Sequence, residues 1–347
     1  MGSALPETMK AAVLDGAGPP EAFQIKQVPL PHLTRNHVII ALDYASVGSW
    51  DAKLRQGAWG EVKPGTILGA DGSGTIAAVA SGVERLRVGD RVYSYSYDNP
   101  HGGFYAEYVS VPADRVEHVP RQIDQKVAGA MPCVALTAQS GWEALEIRRG
   151  QTVLVFGASG GVGSMAVWLA SNPIDATVVG AARTDAHEYV RKLGAAHAVD
   201  PHSGQREAVL KRVAPQGFDA ALVTADGDTL PAFLTHLRAG AAFAYPNGVE
   251  PEPHLEGHRG IAFDAQMSRA AFERLNLAIG SRAIPLRVEV FSLDEVWAAH
   301  RRIEQGTSWG SSSYRFATEL LQLCFCCSQA ASRSSRTSSS LVWRKSA

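Results

Sequence analysis

A strand, a glycine-rich turn and a helix follow one another without interruption between Val153 and Ala170. The strand is an apolar run that ends at Phe156, as in the buried strands of parallel sheets. The helix is also apolar and begins after the turn Gly157-Ala-Ser-Gly-Gly-Val-Gly163. This order of elements is the context in which a glycine pattern predicts a dinucleotide-binding site.

Individual residues of the turn have physical tasks in such a site. The fingerprint is Ala158-x-Gly160-x-x-Gly163, with alanine in the first glycine position. Gly160 would let a pyrophosphate approach the backbone, and Gly163 would let the helix pack closely on the strand. The unpaired N–H groups and the positive dipole end of the helix would hold the phosphates. A tight turn without a ligand is the alternative, and it is disfavoured because the flanking elements fit a nucleotide-binding unit.

The rest of the chain divides into two parts. From residue 9 to residue 132 it has short strand patterns separated by glycine and proline turns, which predicts a β-rich, barrel-like domain completed by residues 274–306. Residues 133–273 alternate strand and helix patterns, which predicts an α/β domain with a doubly wound parallel sheet. Residues 1–8 are interpreted as a flexible leader.

The amino-acid composition narrows the classes of function that are expected for the chain. The chain has 347 residues, enough for two domains, with 33 basic and 34 acidic side chains. This balance gives no reason to expect nucleic acid or an anionic membrane as a partner. We find no apolar run of the roughly 18–20 residues that a membrane span needs, and no secretory signal. The four cysteines do not form a disulfide framework, so a cytoplasmic enzyme is expected.

The character of the sequence changes after Gly306. Residues 307–347 contain a cysteine cluster and a run rich in serine and arginine, which predicts either disorder or a change of reading frame. Under one choice of codons, restoring a single base before Thr307 yields His-Val-Leu-Gly-Lys-Leu-Val-Leu, a good strand sequence. A metal site at Cys324, Cys326 and Cys327 is disfavoured because no second pair of ligands is nearby.

Seven motifs in order resemble the medium-chain dehydrogenase/reductase superfamily, and specifically its zinc-independent, quinone oxidoreductase-like branch. The resemblance runs from about Met9 to Gly306 and implies a GroES-like catalytic domain, a Rossmann domain, an active site in the cleft between them, and a final strand after Gly306. A homodimer is implied by the resemblance alone. The motifs are Gly69-Ala-Asp-Gly-Ser-Gly74, Val88-Gly-Asp-Arg-Val92, Gly103-Phe-Tyr-Ala-Glu-Tyr108, Ala135-Leu-Thr-Ala138, Gly157-Ala-Ser-Gly-Gly-Val-Gly163, Leu193-Gly-Ala-Ala-His-Ala-Val-Asp200 and Phe291-Ser-Leu-Asp-Glu-Val-Trp-Ala-Ala-His300.

Zinc enzymes of this superfamily place a cysteine where this chain has Gly48 and a His-Glu pair where it has Ala70-Asp71. Gly48 and Ala70 have no side-chain ligand for zinc, which binds thiolate, imidazole or carboxylate. Cys133 is isolated in the sequence and is interpreted as a small buried apolar residue. We therefore expect a metal-free site.

The cofactor is predicted to be NADPH. NAD-specific Rossmann domains usually have an acidic residue after the second strand, whereas this strand is followed by Ala182-Arg183. An arginine there would bind a 2′-phosphate; the alternative is a solvated surface arginine. By resemblance, Thr137 would face the nicotinamide or its ribose and Pro246-Asn247 would flank the nicotinamide. The full set of predicted cofactor residues is Thr137, Gly157, Ala158, Ser159, Gly160, Gly161, Val162, Gly163, Ala182, Arg183, Pro246 and Asn247.

The remaining chemistry is hydride transfer to an electron-poor small molecule. Trp50 and Trp59, on the segment between Val47 and Gly60, are the candidates for the substrate pocket, with packing inside the β-rich domain as the alternative. No catalytic residue is assigned, because enoyl reductases often have a tyrosine where this chain has Trp59, and indole is not an acid near neutral pH. A quinone reductase is favoured. The alternatives are a 2-enal or enoyl reductase, and a crystallin-like or RNA-binding protein that binds cofactor with little catalysis.

Overall fold

The computed structural model describes residues 5–99, 102–306 and 322–326, and its first half is rich in strands, as predicted. Thr8, which the sequence interpretation put in a flexible leader, is instead the first residue of a strand. The elements of this half are β1 (Thr8–Leu14), β2 (Gln24–Pro29), β3 (His37–Val47), α1 (Ser49–Arg55), β4 (Thr66–Ile67), β5 (Asp71–Val79), β6 (Arg91–Tyr95), β7 (Tyr108–Pro112), β8 (Val116–His118), α2 (Gln125–Ala130) and α3 (Pro132–Leu145).

The second half alternates strand and helix. Its elements are β9 (Thr152–Phe156), α4 (Gly161–Ser171), β10 (Thr177–Ala181), α5 (His187–Lys192), β11 (His197–Val199), α6 (Arg206–Val213), β12 (Phe218–Val223), α7 (Leu230–Leu234), β13 (Leu237–Pro246), β14 (Arg259–Phe263), α8 (Arg269–Ile279), β15 (Val288–Ser292), α9 (Val296–Gly306) and β16 (Gln322–Cys326). The sequence patterns had not indicated β14, and they had treated the Ser49–Arg55 helix as a loop.

The parallel sheet has the strand order β11-β10-β9-β12-β13-β14, which is the doubly wound arrangement predicted from the alternation. Its central strand is buried on both faces. Val153 and Val155 belong to the core on one side, whereas Leu154 and Phe156 belong to the core on the other. This two-sided burial explains why β9 is apolar at each of these positions rather than alternating.

The larger sheet of the β-rich half has the order β15-β16-β3-β5-β6-β8, with β7 also pairing with β3. The strand β16 comes from the segment after Gly306 and pairs parallel to β15 and antiparallel to β3. It thus enters the sheet beside β15, although the sequence analysis expected no strand from the unaltered tail. Residues 307–321 and 327–347 lie outside the described residues, so disorder and a reading-frame change there stay predictions.

A buried arginine at the end of helix α1 holds the helix in place. Arg55 is 1% exposed, and its guanidinium donates to the Gly18 carbonyl at 3.0 Å and contacts His300 Nδ1 at 3.0 Å. It also donates to the Glu304 carboxylate. Because His300 and Glu304 lie on α9, a single side chain fixes α1 to the C-terminal helix.

His300 is neutral in this arrangement. The ring is fully buried, and burial together with the Arg55 charge lowers its pKa from 6.5 to about 3. The unfolded chain therefore binds more protons than the folded chain between these two values. The contribution of His300 to stability is complete above pH 6.5 and is lost as the pH falls toward 3.

We expect His300→Asn to remove this acid sensitivity, since asparagine can keep an acceptor near Arg55 but does not titrate. Between pH 7.5 and pH 5, the free energy of unfolding of the wild type should fall by about 2 kcal/mol relative to the variant. Denaturant titrations of both proteins at each pH measure this difference, in which the other titrating groups cancel. A difference that stays constant with pH would show that His300 is not held neutral.

Candidate functional site

The turn after β9 has the close packing that its glycines predict. Gly157 has φ +83°, and a Cβ added there would lie 2.8 Å from Ala225 Cβ. A Cβ added to Gly163 would lie 2.0 Å from the Gly157 carbonyl oxygen. Only hydrogen fits at Gly163, because the first turn of α4 rests directly on the turn backbone.

The beginning of α4 suits an anionic group. The residue before the helix is Gly160, which has no side chain to cap the first N–H groups. These groups have no acceptor within their own helix, and they carry the positive end of the helix dipole. Gly160, Gly161 and Val162 are partly exposed, whereas Ala158 and Ser159 are buried. The residues of the turn therefore fit a pyrophosphate.

The predicted cofactor residues lie around one edge of the parallel sheet. Phe156 is in register with Ala181 of β10 and with Val223 of β12, so the strands end together. The Gly157–Gly163 turn and the Ala182-Arg183 pair follow these strand ends, and the Pro246-Asn247 pair spans the end of β13. Ligands of doubly wound sheets bind at this carboxyl edge. Thr137 is buried on α3, where its hydroxyl donates to the Cys133 carbonyl at 2.7 Å.

Arg183 stands at the surface just beyond β10. Its side chain is 54% exposed, and its guanidinium lies 3.2 Å from the Asp185 carboxylate. The next residue is more firmly held, because both the N–H and the hydroxyl of Thr184 donate to Asp200, at 2.9 and 2.6 Å. The backbone at Arg183 is thus fixed, while its own ion pair is exposed and worth little.

An aromatic surface lies on α1 and the segments around it. Trp50 and Trp59 stack with ring centroids 4.0 Å apart, and Tyr97 lies 6.3 Å from Trp50. All three side chains are exposed. The packing alternative for the two tryptophans is therefore not what is found, since neither belongs to the buried core. Of the tyrosines near the cleft, Tyr97 is exposed with the two tryptophans, whereas Tyr95 and Tyr105 are buried.

This aromatic surface adjoins the carboxyl edge of the parallel sheet. Lys53 on α1 donates to the Gly248 carbonyl at 3.1 Å, and its ammonium lies 5.6 Å from the Trp59 ring centroid. A Cβ at Gly248 would be 3.7 Å from Trp50. Gly248 follows the Pro246-Asn247 pair, so the aromatic surface and the predicted nicotinamide region meet. Lys53 was not identified from the sequence, where it is an ordinary lysine between Ala52 and Leu54.

The positions of the superfamily's zinc ligands carry other contacts here. Gly48 precedes α1, and its N–H donates to Asp51 at 2.8 Å. Ala70 is buried, and the adjacent Asp71 accepts from the Ser46 hydroxyl and from the Cys133 N–H. Within the described part of the chain, no cluster of three or more histidine, cysteine or acidic side chains could hold a metal ion.

Comparison with known proteins identifies the family. The Alcohol dehydrogenase GroES-like domain model matches residues 34–121, and the Zinc-binding dehydrogenase model matches residues 161–256. NAD(P)H oxidoreductase RTN4IP1, mitochondrial, from Bos taurus is 34% identical over 270 residues, covering 70% of this chain and 66% of that protein. NADPH-dependent alkenal/one oxidoreductase, chloroplastic, from Arabidopsis thaliana is 32% identical over 207 residues, covering 57% of this chain and 54% of that protein.

A solved structure agrees in fold. The quinone oxidoreductase from Coxiella burnetii superposes with a TM-score of 0.75 at 23% identity, covering 92% of this chain and 99% of the other. The chain belongs to the medium-chain dehydrogenase/reductase superfamily, as the motifs predicted. The chain spans 66% and 54% of the length of the two curated relatives named above.

The sequence also predicts a location and an oligomeric state for the chain. No helix in the described ranges is long and apolar enough to cross a membrane. The cytoplasmic location stays a prediction, since the two curated relatives are named mitochondrial and chloroplastic. The homodimer also stays a prediction.

We expect Gly163→Ala to destabilise the fold, because its Cβ would collide with the Gly157 carbonyl. The loss should be about 2–3 kcal/mol in the free energy of unfolding, measured by denaturant titration. Gly160→Ala is the matched control: its Cβ would meet nothing nearer than 3.4 Å and its φ is −72°. The control should stay within about 0.5 kcal/mol of wild type. Equal stabilities for the two variants would contradict the close packing.

Proposed function

We propose that the chain catalyses NADPH-dependent, metal-free hydride transfer to a quinone or another electron-poor carbonyl or alkene. The observation that carries the proposal is the position of the aromatic surface against the Gly248 turn. A planar acceptor stacked on Trp50 or Trp59 would lie beside the region expected to hold the nicotinamide. Neither Gly48 nor Ala70 has a side chain that could bind zinc, which supports chemistry without a metal.

The chain's own residues contribute by binding, orienting and excluding water. The N–H groups at the start of α4 would hold the pyrophosphate, and Gly160 would let it approach the backbone. When bound, the nicotinamide supplies the hydride. The stacked indoles orient a flat acceptor and displace water from its face, so that positioning provides most of the rate enhancement. Lys53, at the same edge, adds a positive charge near the oxygen on which negative charge develops.

An acceptor panel tests this function. We expect NADPH oxidation with 1,2-naphthoquinone and with 9,10-phenanthrenequinone. Trp59→Ala should raise the KM for these quinones about ten-fold through lost stacking. Trp59→Phe should recover most of the loss. Trp297→Ala, which removes a partly exposed tryptophan from α9, is the control and should match wild type.

The panel also separates the alternatives. Turnover of 2-hexenal without turnover of quinones would favour a 2-enal or enoyl reductase of the same fold. Cofactor binding with no turnover of any acceptor would contradict the proposed activity and favour a binding protein.

The NADPH preference is proposed to rest on Arg183. The Arg183 guanidinium would leave Asp185 for the more highly charged 2′-phosphate, which it can bind through two hydrogen bonds. Loss of such charge-assisted bonds costs about 1.5–3 kcal/mol. Arg183→Ala should therefore raise the KM for NADPH about ten- to hundred-fold and change that for NADH little.

The control for this variant is Arg149→Ala. Arg149 is also an exposed arginine in an ion pair with an aspartate, Asp175, but it lies on the turn before β9. It should leave both KM values unchanged. An unaltered preference for NADPH in Arg183→Ala would show that another residue recognises the phosphate.

A further inference from the structure

Two carboxyl groups are buried beside the proposed acceptor site, and the proposed function assigns them no task. Asp51 lies in the first turn of α1 and is 4% exposed, and Asp71 begins β5 and is 1% exposed. Burial of an ionised carboxylate is costly unless a cation balances it. No lysine or arginine in the described part of the chain is among the groups that set the pKa of either carboxyl.

The hydrogen-bond partners of Asp71 can bind its carboxyl in either the protonated or the ionised form. Its Oδ2 accepts from the Cys133 N–H at 2.9 Å, and its Oδ1 faces the Ser46 hydroxyl, which can donate or accept. Burial, and secondarily the Asp51 charge, raises the pKa of Asp71 from 3.8 to about 7. Repulsion between two carboxylates is mutual, so the pair titrates as a unit.

Asp51 connects this pair with the acceptor site. It accepts from the Gly48 N–H at 2.8 Å, and the nearby Tyr105 hydroxyl lowers its pKa. Burial outweighs both effects and raises the pKa of Asp51 to about 6. Asp51 also lines a cavity of about 50 Å³ together with Tyr97, which itself packs against Trp50. Such a cavity holds one or a few water molecules.

The other titratable groups around the pair do not neutralise it. Burial raises the pKa of Tyr105, of Tyr95 and of the Cys133 thiol, so all three are neutral near pH 7. Arg55, whose charge lowers the pKa of Tyr105, is engaged by Glu304 on α9. A shared proton is the remaining way to lower the charge of the two aspartates.

We propose that Asp51 and Asp71 hold one proton between them and that Asp51 passes it, through water in the cavity beside Tyr97, to the acceptor as the acceptor is reduced. This inference rests on the proposed hydride transfer. For an enal, NADPH gives two electrons with the hydride to the β-carbon, and the proton from the pair reaches the enolate oxygen or the α-carbon. Solvent returns the proton to the pair. A quinone needs this supply less, because its reduced oxygens are readily protonated by water.

Asp71→Asn tests whether the two aspartates hold a proton, and it should disturb the surrounding structure little. The asparagine amide can donate to Ser46, and its oxygen can still accept from the Cys133 N–H. With one carboxyl neutral, Asp51 ionises at lower pH and has lost its proton at pH 6.5, where the wild-type pair still holds one. We expect 2-hexenal turnover at pH 6.5 to fall about ten-fold or more, with quinone turnover within about two-fold. The fall of enal turnover with rising pH should also move to lower pH.

Infrared spectroscopy gives a reading that does not depend on turnover. At pH 7 the wild-type chain should show the C=O stretch of a buried, protonated carboxylic acid, shifted in D₂O. The band should be absent from Asp71→Asn at the same pH. Asp90→Asn, which changes a surface carboxylate paired with His118 in the same domain, should keep the band and both activities. Circular dichroism verifies that each variant is folded.

The outcomes separate the store from the proposed function. Absence of the band from the wild type overturns the shared proton whatever the activity. If the wild type shows the band but Asp71→Asn and Asp51→Asn reduce the enal with an unchanged pH profile, then delivery of the proton to the acceptor is overturned. Failure of the wild type to reduce any acceptor with NADPH overturns the proposed function, even where the band is present.

Discussion

The buried guanidinium of Arg55 is the interaction on which the site geometry depends. Removing a cation from water costs several kcal/mol, and this cost is offset only by well-placed partners. The Gly18 carbonyl, the His300 ring and the Glu304 carboxylate provide them from two separate parts of the chain. Helix α1 has only seven residues and would be marginal alone. Its position is therefore set by tertiary contacts, and α9 in turn determines where the aromatic surface lies.

The two halves of the molecule share an apolar core and are also joined by directional contacts. Lys53 bonds the Gly248 carbonyl at the acceptor side, and the Tyr93 hydroxyl donates to Asn276 at 2.7 Å further away. In the proposed reaction, the hydride comes from the cofactor held by the parallel sheet, whereas the proton comes from carboxyls in the β-rich domain. Both must arrive at one acceptor. The contacts across the cleft therefore determine the alignment of two reagents, not only the shape of a pocket.

The sequence predicts the fold well where local pattern and tertiary role coincide. The glycine turn and the apolar run of β9 predict a strand, a turn and a helix from local pattern, and the structure has these elements there. The helix Ser49–Arg55 was missed because it is short and polar and lies between glycines. Strand β14 was missed because it is an edge strand with little burial. Neither has a strong apolar period, and both are fixed by their neighbours.

The site residues also divide into those that local sequence pattern reveals and those that only tertiary contacts define. The glycine turn proposed to bind the cofactor could be found from the sequence because its glycines are required by local backbone geometry. Arg55 could not, since nothing in the pattern distinguishes a buried arginine from a surface one. The stacking of Trp50 on Trp59 likewise needs the bend of the chain after α1. Long-range partners, which a pattern does not encode, determine these roles.

Asp71 shows how one replacement changes the chemistry of a neighbour. Beside a metal, a carboxylate at this position would face a strong positive charge and stay ionised. Ala70 and Gly48 provide no side-chain ligand, and the Asp71 carboxyl instead faces a hydroxyl and an N–H in a dry core. Its buried charge is then costly, so burial favours the protonated form. Without side-chain ligands at those two positions, burial would favour the proposed storage of a proton beside the acceptor, and an acceptor that needs protonation would benefit most.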